Sequence, residues 1–283
     1  MKKGKIIVFV IFFAAISNHF LSISIFFNGF FPMKPLLQGI SSNDTNLLSF
    51  LQEDSKQLNL RPKYIQEMKK FERMVLIVID ALRTDLAFSR ESQFPFLHQL
   101  IEKGQAVHFQ TFAASPTVTL PRLKAILTGS LPSFSDIIHN FNSSQLKEDN
   151  LLLQLYKAGK EIIFYGDDTW LKLFPSHFFK RSEGVSSFFV YDTIEVDNNV
   201  TRHLEKEIRS RDWQVLCLHY LGLDHIGHSE GSSSPLMPKK QKEMDEVIKK
   251  VFTSFGEKDL LVLLGDHGMK KVRPKKNTLK IVC

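Results

Sequence analysis

From residue 74 onward, apolar runs and polar interruptions alternate regularly along the chain. Met74–Ile79 is apolar throughout, the mark of a strand covered on both faces. Glu161–Tyr165, Gln214–His219 and Asp259–Leu264 read as further strands. Ala106–Phe112 and Ser187–Tyr191 are also expected to be extended. Helical stretches fall between them. Phe94–Lys103 is closed by Gly104, and Asn150–Ala158 is stopped by Gly159. Leu120–Leu127 has Pro121 in its first turn and Gly129 after its end. Val200–Arg209 and Pro238–Phe252 complete the set, and Gly166–Trp170 reads as a polar loop. Strand alternating with helix predicts an α/β domain with a mostly parallel sheet and helices on both faces.

The amino-terminal pattern is different. Lys2, Lys3 and Lys5 precede Ile6–Phe31, a run rich in Ile, Phe and Val. A bilayer core takes about 20 apolar residues, so residues 1–31 read as a membrane anchor with its lysines held in the cytosol. A cleaved signal peptide ending near Ala14–Ser17 is the competing reading. Either one delivers the body to the lumen. Residues 32–70, with Pro32, Pro35 and Pro62, read as a membrane-proximal connection, 71–269 as the body, and 270–283 as a basic tail. Sequons at Asn43, Asn142 and Asn199 agree with a lumenal body.

Charge and cysteine content exclude other classes. Six units of the formal net charge of +7 come from Lys270, Lys271, Arg273, Lys275, Lys276 and Lys280. The body is nearly neutral, which argues against nucleic acid as a partner. With only Cys217 and Cys283 there is no disulfide framework, and Cys217 reads as a small buried hydrophobe.

The candidate chemistry lies at strand ends. Asp80 follows Met74–Ile79 directly, and Asp266 and His267 follow Asp259–Leu264 through Gly265. Asp224 and His228 come shortly after Gln214–His219, within Leu-Asp-His-Ile-Gly-His. In open α/β sheets ligands bind beyond the carboxyl ends of the strands. Carboxylates gathered there repel one another unless cations sit between them, and carboxylate with imidazole is a zinc donor set. Any one of these acids alone is an ordinary turn residue; the joint pattern is what carries weight. His219 and His225 lie close enough to line such a site, although nothing in the sequence requires it. Ser115-Pro-Thr-Val-Thr-Leu-Pro-Arg122 opens a helix whose amino end attracts a phosphoryl group. Thr119 there is either a nucleophile activated by metal or a helix cap, with Thr117 its nearest competitor. Arg122 either contacts the phosphoryl group or decorates the helix.

These residues resemble the alkaline phosphatase superfamily and, within it, the lumenal domain of GPI ethanolamine phosphate transferases. The resemblance rests on five motifs in order: Val78–Arg83, Ser115–Pro121, Gly166–Trp170, His219–His228 and Gly265–Met269. Glu195–His203 and His219–His228 look most like the type-2 members, which modify the second mannose. The resemblance implies a two-zinc site. Asp80, Thr119, Asp266 and His267 match the ligands of one ion, and Asp224 and His228 two of three for the other. Thr119 matches a nucleophile that takes ethanolamine phosphate from phosphatidylethanolamine and passes it to a GPI mannose. Asp168 and Trp170 match substrate contacts. A small multi-span membrane subunit and the endoplasmic reticulum membrane come with the family. The family pattern continues with a Gly-x-His-Gly and a multi-span region, whereas no histidine follows His267 here. A truncated, weakly active product is therefore expected. A non-catalytic fragment binding GPI or a partner, or a phosphodiesterase releasing product to water, are the alternatives.

Overall fold

A computed structural model of the chain describes residues 2–30, 39, 71–133 and 145–270. Asn43, Asn142, nearly all of the 32–70 connection and the tail beyond residue 270 lie outside the described residues. Helix α1 (Lys2–Phe30) contains Ile6–Gly29, 24 residues with mean hydropathy 2.3. At 1.5 Å per residue those span about 36 Å, against roughly 30 Å of bilayer hydrocarbon. By length and composition α1 can cross a membrane.

The body runs β1 (Arg73–Ile79), α2 (Thr84–Phe88), α3 (Pro95–Glu102), α4 (Thr119–Thr128), α5 (Leu151–Lys157), β2 (Ile162–Asp167), α6 (Thr169–Leu173), β3 (Phe179–Val185), α7 (Glu195–Ser210), β4 (Val215–Tyr220), α8 (Gly222–Ser229), α9 (Met237–Thr253) and β5 (Asp259–Leu264). The strands form one sheet in the order β3-β2-β4-β1-β5, and every described pairing is parallel.

Strand alternation divides the core between two faces. Val75, Ile77 and Ile79 of β1 point into one cluster with Leu97 of α3, Leu204 of α7 and Ile248 of α9. Leu76 and Val78 point into the other, with Leu123 of α4, Leu152 of α5 and Trp170 of α6. Val75–Ile79 are all 3% exposed or less, so each contributes about 1.5–3 kcal/mol by leaving water. Local chemistry sets the helix ends. Asn150 Oδ1 accepts from Leu153 N at 2.9 Å to begin α5, and Gly129, at φ 68°, ends α4 in the left-handed region. The start of α3 is capped across the fold, its Phe96 and Leu97 amides donating to Asp245 of α9 at 2.8 and 3.0 Å.

The structure corrects five local expectations. Ala106–Phe112 is irregular rather than a strand, with Val107, Phe109 and Phe112 exposed. Ser187–Tyr191 is a turn. β3 is an additional strand at the sheet edge, buried at Phe179 and Val185 and exposed at Lys180, Ser182 and Gly184 between them. Gly166–Trp170 is not a loop: Gly166 and Asp167 finish β2, and α6 begins at Thr169. Asp224 and His228 sit on a short helix, α8.

Candidate active site

The strand order explains why acids distant in sequence meet. β1 lies between β4 and β5, so residues following these three strands converge on one rim. Asp80 leaves β1, its amide donating to Tyr220 O at 2.9 Å. Ala81 then turns sharply at φ 57°, a conformation uncommon outside glycine, and its amide donates to Asp266 Oδ1 at 3.2 Å. Asp266 is reached through Gly265, where a Cβ would lie 2.6 Å from Leu82 O. Only glycine lets β5 hand its acid over at that crossing. Asp224 stands in the first turn of α8, whose start is held by Asp197: Oδ1 accepts the Leu221 and Gly222 amides, each at 3.0 Å. Lys240 closes on Asp197 Oδ2 at 3.0 Å.

Thr119 opens α4, but its hydroxyl does not cap the helix. It donates to Asp80 Oδ2 at 3.1 Å and lies 3.4 Å from His267 Nε2. His267 Nε2 is also 3.1 Å from Asp80 Oδ1 and 3.6 Å from Asp266 Oδ2. Ligand-type atoms of Asp80, Asp224 and His267 lie within 4.8 Å of one another, as do those of Asp80, His219 and Asp266. Asp80 and Asp266 are each 1% exposed, and Asp224 is 9% exposed.

Burial, then the neighbouring Asp266, hold the Asp80 carboxyl well above the usual carboxylate range. Burial raises Asp224 as well. For His267 burial acts downward, but Asp80, Asp266 and Asp224 outweigh it and hold the ring up at about 10. Asp266 Oδ2 is buried without a hydrogen-bond partner, and Asp80 Oδ1 has only His267 beside it. Buried carboxylate oxygens left unpaired beside like charges are what a bound cation satisfies. The donor set, carboxylate and imidazole with a hydroxyl, fits a divalent metal ion.

The other predicted residues take up surrounding positions. His228 Nε2 is 3.3 Å from Asp224 Oδ2, one helical turn away, with its side chain 64% exposed. It stands on the outer side of the cluster. Arg122 is buried and donates from Nε to the Asp266 carbonyl at 2.9 Å, so it buttresses the segment carrying Asp266 and His267. Asp168 pairs with Lys172 on the surface. Trp170 is 1% exposed, too deep for a substrate contact, and its indole donates to His219. Asn199 is half-buried on α7. Sequence reasoning passed over Asp197 and Asp167. Asp167 ends β2, is 1% exposed and accepts from Thr169 N at 3.0 Å. The four-residue spacing of Asp224 and His228, one helical turn, was the available signal for α8.

Residues 74–170 and 175–282 match the type I phosphodiesterase / nucleotide pyrophosphatase family. The chain belongs to that family. Among curated proteins it is 47% identical to GPI ethanolamine phosphate transferase 2 of Eremothecium gossypii, over 88% of this chain and 30% of that protein. It is 52% identical to the human GPI ethanolamine phosphate transferase 2, catalytic subunit, over 71% of this chain and 21% of the relative. The chain thus spans about a third or less of the length of these relatives. Among solved structures, murine ectonucleotide pyrophosphatase/phosphodiesterase 5, an inactive variant in complex with AMP, aligns with a TM-score of 0.52 at 16% identity. That alignment covers 70% of this chain and 57% of the other. It shows the shared fold: a parallel sheet with helices on both faces.

Proposed function

We propose that the chain carries the phosphoryl-transfer centre of an ethanolamine phosphate transferase acting on GPI precursors, with phosphatidylethanolamine as donor and the second mannose as acceptor. The observation that carries this reading is the Thr119 hydroxyl, at the amino end of α4 and 3.1 Å from Asp80, inside the cluster of strand-end acids. Similarity to the type-2 transferases supports the substrate assignment. Asp80, Asp266, His267 and Thr119 would hold one zinc ion, and Asp224 and His228 part of the set for a second. Bound there, the ions would lower the hydroxyl's proton affinity and offset charge on the phosphoryl oxygens.

The chain's own residues do the rest. Asp80 accepts the Thr119 proton's hydrogen bond and fixes the direction of its lone pairs. Thr119 Oγ attacks phosphorus and gives up its proton, the bond to the diacylglycerol oxygen breaks, diacylglycerol leaves with a proton on that oxygen, and a phospho-threonine diester forms. The mannose hydroxyl then attacks the same phosphorus and gives up its proton, and Thr119 Oγ leaves and takes one back. Arg122 keeps Asp266 and His267 in place through the Asp266 carbonyl. A mostly apolar cavity of about 820 Å³ adjoins Asp266 and His267, lined by Leu82, Phe88, Leu100, Phe252 and Leu263 with Arg83 and Gln105 among them. Such a cavity favours a lipid donor over a water-soluble nucleotide. The reading places the body in the endoplasmic reticulum lumen, anchored by α1, with a small multi-span membrane subunit as partner. Asp224 and His228 would supply two of the usual three protein ligands of that second ion.

The test is expression in cells lacking the type-2 transferase, of this chain alone and of the chain extended by the remaining length of a relative. GPI precursors are then analysed for ethanolamine phosphate on the second mannose. Rescue by the extended form, lost in Thr119→Ala, is expected. Unchanged transfer in Thr119→Ala removes Thr119 from its role, and rescue by neither form overturns the substrate assignment.

A further inference from the structure

Trp170 and His219 lie behind the carboxylates, and the transfer described above uses neither. Both are sealed from solvent, at 1% and 0% exposure. The Trp170 ring is stacked on Phe164 with centroids 5.1 Å apart. Its indole N–H donates to His219 Nδ1 at 3.0 Å. An indole nitrogen can only donate. His219 Nδ1 therefore presents a lone pair, which excludes both the imidazolium ion and the tautomer protonated at Nδ1. The ring is neutral, with its hydrogen on Nε2. That nitrogen has no hydrogen-bond partner and lies 3.7 Å from Asp80 Oδ2.

By distance alone, His219 belongs with Asp80 and Asp266 in a group able to hold a metal. The position of its hydrogen argues otherwise. A ligating histidine gives its lone pair to the ion, and here Nε2 carries hydrogen. Were Nε2 to ligate, Nδ1 would have to be protonated and would face the indole donor to donor. We infer that His219 is a positioning residue for Asp80 and not a metal ligand: Trp170 fixes its tautomer, which leaves the Nε2–H 3.7 Å from Asp80 Oδ2, beyond a hydrogen bond but near enough to offset the carboxylate's buried charge. This rests on the reading of Asp80 as a metal-holding residue. Loss of a side chain that supports a metal ligand from behind typically weakens metal affinity by about 10–100-fold.

Two measurements on the full chain in detergent micelles test it. In the metal-free protein labelled with ¹⁵N-histidine, His219 is expected to show a pyridine-type Nδ1 and a pyrrole-type Nε2; the reverse assignment overturns the inference. Zinc is then titrated calorimetrically into wild type and variants. Trp170→Phe keeps the apolar ring and removes the donor, and is expected to weaken zinc binding by about 10-fold or more. His219→Gln, which returns an N–H near the Nε2 position, is expected to retain most of the affinity that His219→Leu loses. Unchanged or tighter zinc binding in Trp170→Phe overturns the inference, because a ligating His219 gains from removal of the opposing N–H. Absence of zinc binding by wild type instead defeats the metal reading, and the nitrogen spectrum still decides the tautomer.

Discussion

Replacing Asp197 by alanine removes three hydrogen bonds at once: two from the Leu221 and Gly222 amides and one from Lys240 Nζ. The Asp197 side chain is 0% exposed and that of Lys240 is 4% exposed. Lys240 would keep only Glu243, at 2.9 Å on the rim. Stripping one partner from a buried ion pair costs about 3–5 kcal/mol, and each buried amide left unpaired about 1–3 kcal/mol. These overlap, and Glu243 softens the first, so the expected loss is about 4 kcal/mol. For a domain of this size that is roughly 8–16 °C in Tm. Denaturant unfolding followed by tryptophan fluorescence reads it well, since Trp170 and Trp213 are both buried. Lys240→Met should cost about 3 kcal/mol alone. The double variant should cost less than the sum of the two, because no unpaired charge remains. A loss below about 1 kcal/mol in Asp197→Ala, or strict additivity in the cycle, refutes the reasoning. Asp224 stands in the turn that Asp197 anchors, so the same variant should also bind zinc more weakly while still folded.

Gly222→Ala would bring a Cβ to 2.3 Å from Asp197 Oδ2, and should destabilise by about 1–3 kcal/mol in the same unfolding assay. Ile77→Ala, at a fully buried position in β1, should cost about 2–5 kcal/mol and leave zinc affinity of the folded protein unchanged. His267 is held up at about 10 from an ordinary value of 6.5, so the folded, metal-free chain binds a proton that the unfolded chain releases. That stability is fully present below pH 6.5 and is lost as pH rises toward 10. Metal takes the proton's place, so zinc should bind more tightly as pH rises over the same window. Thermal scans of metal-free protein from pH 6.5 to 10 check the sign; a Tm that climbs across that window contradicts it.

β1 and β4 were legible because they are buried on both faces. Met74–Ile79 has no polar position to confuse the period and Asp80 follows it directly, while Gln214–His219 is polar only at its two ends and Asp224 comes shortly after it. What the chain could not announce was lateral order. That β1 lies between β4 and β5 follows from pairing, and it places Asp80 at the centre of the cluster. β3 escaped notice because an edge strand carries charged residues along its length, as Lys180, Arg181 and Glu183 do here. Ala106–Phe112 misled for the opposite reason: apolar content without a partner strand does not make a sheet. Trp170 read as part of a polar loop, although a buried indole wants an acceptor, and His219 supplies one. The sequence offers Arg122 as either a phosphoryl contact or a surface residue; its burial and its backbone acceptor beyond a distant strand end are visible only in three dimensions.

The central claim is that acids from three adjacent strands and the Thr119 hydroxyl together hold a divalent cation. An anomalous difference map at the zinc absorption edge, from crystals of the chain grown with zinc, tests it most directly. The account predicts a peak within bonding distance of Asp80, Thr119, Asp266 and His267, and its loss in Asp80→Asn. A zinc-saturated crystal with no peak there, or a peak that survives Asp80→Asn unchanged, contradicts it.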